Sequence, residues 1–172
     1  MLDFEPPHDH LGQVIAEFLP ENPKFREMMK KSFDILNNHP LNVKRAAEGK
    51  NKANSLWFWG AGTKPALQNF KEKTGLSGTM ISAVDLLKGI AVGAGMHSVD
   101  VPGATGSLDT NYEGKAQAAL DALLKENSDF VYIHLEGPDE MGHQGHVEHK
   151  IKAIEYIDER IVGLVKAGLE AA

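Results

Sequence analysis

The chain of 172 residues contains no cysteine, which excludes disulfide bonds and thiolate chemistry and is compatible with the cytoplasm. Positive charge is also in short supply. Eighteen Lys and Arg stand against twenty-four Asp and Glu, a net charge of -6, so the basic face that a nucleic-acid partner requires is missing. There is no long apolar run and no signal-peptide pattern at the start, which leaves a membrane or secreted location without support. Aromatic residues make up only 7% of the chain, and no repeat or low-complexity tract interrupts it. What is present, 42% hydrophobic residues, allows a sizeable core in a soluble α/β protein.

Asn22 to Glu48 reads as helical. Phe25, Met28, Met29, Phe33 and Leu36 fall on one apolar stripe, with the Met pair and Phe33 expected in the core, and Asn37-Asn38-His39-Pro40 breaks it. A second short helix is expected from Pro40, with Val43, Ala46 and Ala47 facing inward and Gly49 ending it. Leu56-Trp57-Phe58-Trp59 is a strand candidate whose Trp pair could stack a ring or, more commonly, pack in a core or interface. Gly60 and Gly62 make no nucleotide fingerprint and suggest a close approach to backbone or substrate.

The organisation changes near Leu76 to Thr79. From there the pattern alternates: strand Thr79 to Val84, helix Leu86 to Ala94, strand His97 to Val101, helix Tyr112 to Leu124, strand Phe130 to Leu135, helix Val147 to Ala167. That rhythm predicts an α/β fold with a parallel or mixed sheet and crossover helices. Ala116, Ala119, Leu120, Leu123 and Leu124 are the expected apolar face of the fourth element, leaving Lys115, Gln117, Asp121 and Lys125 solvated. Ile151, Ile154, Ile157, Ile161 and Leu164 form the corresponding stripe of the last helix.

The richest segment runs from Phe130 to His143. A buried-strand pattern meets Gly137-Pro138, which predicts a loop presenting Asp139 and His143 at the carboxyl end of a strand, where open α/β sheets bind ligands. Carboxylate and imidazole together suit Zn, Mn or Fe. Asp139 could equally cap a following helix. His146 and His149 continue the spacing from His143 and read as solvated surface or adventitious metal binders, while His134 is either packed or a partner of Asp139, with packing favoured.

The segment from Phe130 to Asp158, with Pro-Asp-x-x-Gly-His-x-Gly after a strand, resembles the cofactor-independent phosphoglycerate mutases, in particular their archaeal-type branch within the alkaline phosphatase superfamily. Pro6-Pro7-His8-Asp9, Asn54 to Gly60, Ile81 to Ile90 and Val101 to Gly106 read like this branch in the same order. The resemblance implies a divalent metal (Mn, Mg or Zn), phosphoglycerate as small-molecule substrate, and a chain corresponding to a central piece of such an enzyme. Residues 1–77 would belong to an inserted, helix-rich substrate-binding domain, and 78–172 to the metal-binding α/β domain. Asp139 and His143 match two of the family's metal ligands. Lys88, His8 and Asp9 match substrate contacts, although a solvated helix lysine and a loose amino-terminal tail over Met1 to Glu5 remain alternatives.

No match to the family's hydroxyl nucleophile is present, so no catalytic residue is assigned and the isolated chain is expected to be inactive. Another phosphoryl-transfer enzyme of the superfamily, or a binding module without chemistry, are the competing functions. Open sheet edges make a homo-oligomer possible.

Overall fold

The computed structural model describes residues 4–172; of the tail expected over Met1 to Glu5, residues 1–3 lie outside them. The chain divides into two compact units, Met1–Lys64 and Pro65–Ala172, a division upstream of the composition change near Leu76.

In the second unit, strands β1 (Gly78–Ile81), β2 (His97–Val99) and β3 (Phe130–Ile133) form a parallel sheet in the order β2-β1-β3. Thr79 is in register with His97 on one side and with Val131 on the other. Parallel neighbours need crossovers. In the helix numbering of the whole chain, these are α4 (Asp85–Gly93) between β1 and β2, and α5 (Tyr112–Leu124) between β2 and β3. The short helix α3 (Phe70–Thr74) precedes β1, capped by Asn69, and its Phe70 N–H donates to Ala94 O at 2.7 Å. The expected alternation is therefore present, with shorter strands than the apolar runs suggested.

After β3 come α6 (Gly137–His143) and α7 (Val147–Ile157); α7 continues through a wide π-helical turn (Asp158–Gly163) into α8 (Leu164–Glu170). Ala153, Ile161 and the half-buried Tyr156, Ile157 and Val165 carry the inward side, and most of these pack with Tyr112 and Ala116 of α5. This corrects the expected stripe: Ile151, Ile154 and Leu164 are exposed. A π turn inserts a residue relative to the 3.6-residue period, so no single helical stripe runs through it. On α8, a Cβ at Gly168 would stand 2.4 Å from Leu120 of α5, which is why glycine fits this crossing.

Helix α5 occupies the expected residues, but its inward face differs. Tyr112, Lys115, Ala116, Ala119 and Ala122 are buried, and Leu124 is exposed. Small alanines bring the helix close to the sheet, and Lys115 enters the interior instead of solvent.

The first unit contains α1 (Pro23–Leu36) and α2 (Pro40–Ala47), broken where Asn37-Asn38-His39-Pro40 predicts. Asn22 caps α1 by accepting the Lys24 N–H at 3.0 Å. Met29 is buried, whereas Met28 and Phe33, expected in the core, are 42% and 45% exposed. In α2 the expected inward residues Val43, Ala46 and Ala47 are exposed and Asn42 is buried. The reason is a hydrogen-bonded loop: Asn42 donates to Leu36 O and Ala53 O and accepts the Ala53 N–H, all within 2.9 Å. Ser32 likewise receives the Leu56 N–H at 2.9 Å.

Leu56 to Trp59 forms no strand, because no neighbouring strand pairs with it among the described residues. Its aromatics pack instead. Phe58 lies against Phe25 and Phe4, and Trp57 donates its indole N–H to Glu5 O at 2.8 Å. A Cβ at Gly60 or Gly62 would meet nothing within 4 Å, so there is no close approach; Gly60 is suited by its φ of +62°.

Candidate metal centre

Strand β3 delivers the chain to the candidate centre. The His134 N–H continues the pairing onto Ile81 O at 2.8 Å, and α6 then opens directly at Gly137 with Pro138 in its first turn. The loop expected after Gly137-Pro138 is thus a helix, since proline at a helix start costs no intrahelical hydrogen bond. Asp139 and His143 stand one turn apart on α6, with Oδ2 and Nε2 separated by 3.2 Å and both side chains well exposed.

Two further carboxylates join Asp139. One ligand oxygen each from Glu136, Asp139 and Glu140 lie within 4.8 Å of one another. Backbone bonds lock the turn: Asp139 and Glu140 N–H groups donate to Glu136 O at 2.9 and 3.0 Å. Hard oxygens with one borderline nitrogen fit a divalent cation such as Mn, Mg or Zn. Glu136 and Glu140 were not singled out in the sequence, although the run Glu-Gly-Pro-Asp-Glu places three acids across one helix start.

Lys115 is the second omission. Its Nζ donates to His134 O at 3.1 Å and to Thr105 O at 3.4 Å. Burial lowers its pKa, opposed by the charge of Glu136. Glu136 itself reaches over the Val101–Thr110 loop, where a Cβ on Gly106 would lie 2.9 Å from Oε2.

Arg160, in the π turn, is the third. It grips Glu113 through two hydrogen bonds of 2.5 and 2.7 Å and stacks on the Tyr112 and Tyr156 rings. The guanidinium holds the Glu113 carboxyl below its ordinary range. A cleft of about 540 Å³ lies beside it, bordered by Asp109, His146, His149 and Lys152.

The other predicted residues lie on other elements. Lys88 lies on α4 and pairs with Asp100 at 2.6 Å, an interaction that raises its pKa. His8 and Asp9 belong to the first unit, in the turn Pro7–His10; their side chains are 3.8 Å apart and the His8 ring meets Trp59 edge-on. His134 has its ring Nδ1 3.4 Å from Ser82 Oγ. His143, His146 and His149 do not share one helix face: Gly145, with φ +71°, separates α6 from α7, and His146 and His149 are exposed.

A parallel α/β unit with carboxylates and an imidazole just beyond a strand's carboxyl end has donors that could hold a divalent metal. Residues 10–170 match the model of the Metalloenzyme superfamily, and the chain belongs to that superfamily. It is 54% identical over 168 residues to a Geobacter sulfurreducens protein named "Probable 2,3-bisphosphoglycerate-independent phosphoglycerate mutase", covering 96% of this chain and 42% of the relative. A Methanosarcina barkeri protein named 2,3-bisphosphoglycerate-independent phosphoglycerate mutase is 52% identical over 91% of this chain and 40% of its own length. A solved structure of a Pyrococcus horikoshii protein shares the fold with a TM-score of 0.67 and 34% identity, over 90% of this chain and 38% of the other. The chain thus spans about two fifths of the length of these relatives. Among the described residues, no helix is long and apolar enough to cross a membrane.

Proposed function

We propose that this chain is the metal-binding part, with some of the substrate-binding part, of a 2,3-bisphosphoglycerate-independent phosphoglycerate mutase. Such an enzyme interconverts 3-phosphoglycerate and 2-phosphoglycerate through a phosphoenzyme, a step of cytoplasmic glycolysis and gluconeogenesis. The observation that carries the reading is the Asp139 and His143 pair at the end of β3, within a chain about half identical to relatives bearing that name.

Asp139 and His143 would hold the cation, for which Mn²⁺ suits the mixed oxygen and nitrogen donors, with the Glu136 and Glu140 carboxylates adding negative charge beside it. A bound divalent metal would lower the pKa of a hydroxyl nucleophile and stabilise charge on the transferring phosphoryl group. Lys88 supplies a compact ammonium for the substrate phosphate, exchanging Asp100 for it. His8 and Asp9 contact the glycerate, residues 1–77 serving the substrate-binding domain and 78–172 the metal-binding domain. Among the described residues, β2 and β3 are the outer strands of the sheet, where a second copy would pair.

The experiment replaces the matching segment of the Geobacter sulfurreducens relative with this chain and follows 3-phosphoglycerate turnover in an enolase-coupled assay. A mutase stimulated by Mn²⁺ is expected. A folded chimera that binds Mn²⁺ and shows no turnover, beside an active parent, contradicts the reading. The 172-residue chain assayed alone should be silent.

A further inference from the structure

Lys115 is 1% exposed, the most deeply buried charged side chain among the described residues. Desolvating an ammonium is costly unless its donors are met. Two of its three donors are met here by backbone carbonyls from two different segments, His134 at the end of β3 and Thr105 in the loop before α5. The His134 peptide is thereby held from both sides, its N–H by Ile81 O and its carbonyl by Lys115. Two residues later Glu136 O receives the amides of Asp139 and Glu140, and the Glu136 carboxylate supplies the countercharge to the buried ammonium. A chain of bonds therefore runs from the interior of α5 to the first turn of α6.

We infer that Lys115 is a positioning residue of the candidate metal centre: its ammonium clamps the Thr105 loop to the β3–α6 junction and so sets the orientation of Asp139 and His143. The inference rests on the reading of that pair as metal ligands. Lys115 touches neither of them and acts only through His134 and Glu136.

The absence of cysteine gives a clean test. Lys115→Cys introduces a single thiol. Alkylation of the unfolded chain with 2-bromoethylamine, followed by refolding, restores an ammonium at nearly lysine length, and 1-bromopropane gives a neutral side chain of similar size. Lys115→Met is the genetic counterpart of the neutral form. Amide exchange is read at Asp139 and Glu140, with Met96 and Ser128 of the same unit, bonded to Ala91 O and Ala122 O, as references.

In both neutral forms, exchange at Asp139 and Glu140 should accelerate at least about tenfold relative to the references, equivalent to about 1.4 kcal/mol. The aminoethyl form should return to the unmodified rate. The Mn²⁺ concentration that half-broadens the His143 ring signals should rise by about tenfold in the neutral forms and recover with the ammonium. Unchanged local exchange, equal acceleration at Met96 and Ser128, unfolding of the whole unit in the neutral forms, or no recovery with the ammonium would each overturn the inference. A chimera with the Geobacter sulfurreducens relative that takes up no Mn²⁺ instead removes the metal reading, while the exchange pattern still reports the clamp by itself.

Discussion

Met29, Ser32 and Asn42 are buried in α1 and α2 of the first unit, two of the three being polar, whereas the second unit buries Met80, Ile81, Tyr112, Ala116, Ala119 and Ile161 around a sheet. In the first unit, short side chains bond to loop carbonyls and amides, and aromatic rings close over the result. The second is built mainly on apolar layers, into which Thr79, Ser82, Thr110 and the Lys115 ammonium are admitted. The difference separates specification by hydrogen bonds, which fixes loop paths, from specification by packing, which fixes a sheet. Reporters divide the same way: both tryptophans, Trp57 and Trp59, lie in the first unit, and all three tyrosines, Tyr112, Tyr132 and Tyr156, in the second.

The largest effect on stability is expected at the centre of the sheet. Ile81 is fully buried on the middle strand, so Ile81→Ala should cost about 2–5 kcal/mol. Denaturant unfolding followed by tyrosine emission measures this, with the tryptophan signal as the internal comparison. A loss confined to tryptophan would break the contrast.

Asn42→Ala should cost less, about 1–3 kcal/mol, because it removes the partners of one amide and two carbonyls without opening an apolar cavity. Here the tryptophan transition should move first. Asn42→Asp, which keeps an acceptor for the Ala53 N–H, should recover part of the loss.

Acid provides a third, smaller separation. Glu113 has its folded pKa depressed below 4.5 by Arg160, so its contribution is present above the unfolded value and fades as pH falls through the folded one. In a series of melts from neutral pH to below that range, the tyrosine-monitored transition of wild type should decline more steeply than that of Glu113→Gln. Parallel curves would assign the Arg160 grip no net role. The smallest stability change is expected for Lys88→Ala, whose ion pair with Asp100 is solvated. In the chimera the same variant should lower kcat/KM with metal content unchanged; wild-type kinetics would return Lys88 to the status of an ordinary surface lysine.

Much of the second unit was legible because its signals are local. The apolar runs around Met80 and Val131, the turn residues between them and the periodicity from Tyr112 to Leu124 each name an element without reference to the rest. Partners are not local. Leu56 to Trp59 has strand composition but no neighbour to pair with, and Lys115 reads as solvated because nothing in a helical pattern announces two waiting carbonyls. Gly137-Pro138 illustrates a different ambiguity, since proline opens helices as readily as turns. Asp139 and His143 were legible as a pair; Glu136 and Glu140 gained meaning only once the segment was seen to be helical.

Asp139 and His143 on α6 are proposed as a metal-binding element of an enzyme. Metal analysis of the chimera beside its Asp139→Ala variant, both purified with limiting Mn²⁺ and assayed for mutase turnover, tests this proposal most directly. Asp139→Ala should lose most of its bound metal and about 100-fold in activity, with partial recovery in excess Mn²⁺. An Asp139→Ala chimera that keeps both its metal and its turnover would contradict the account.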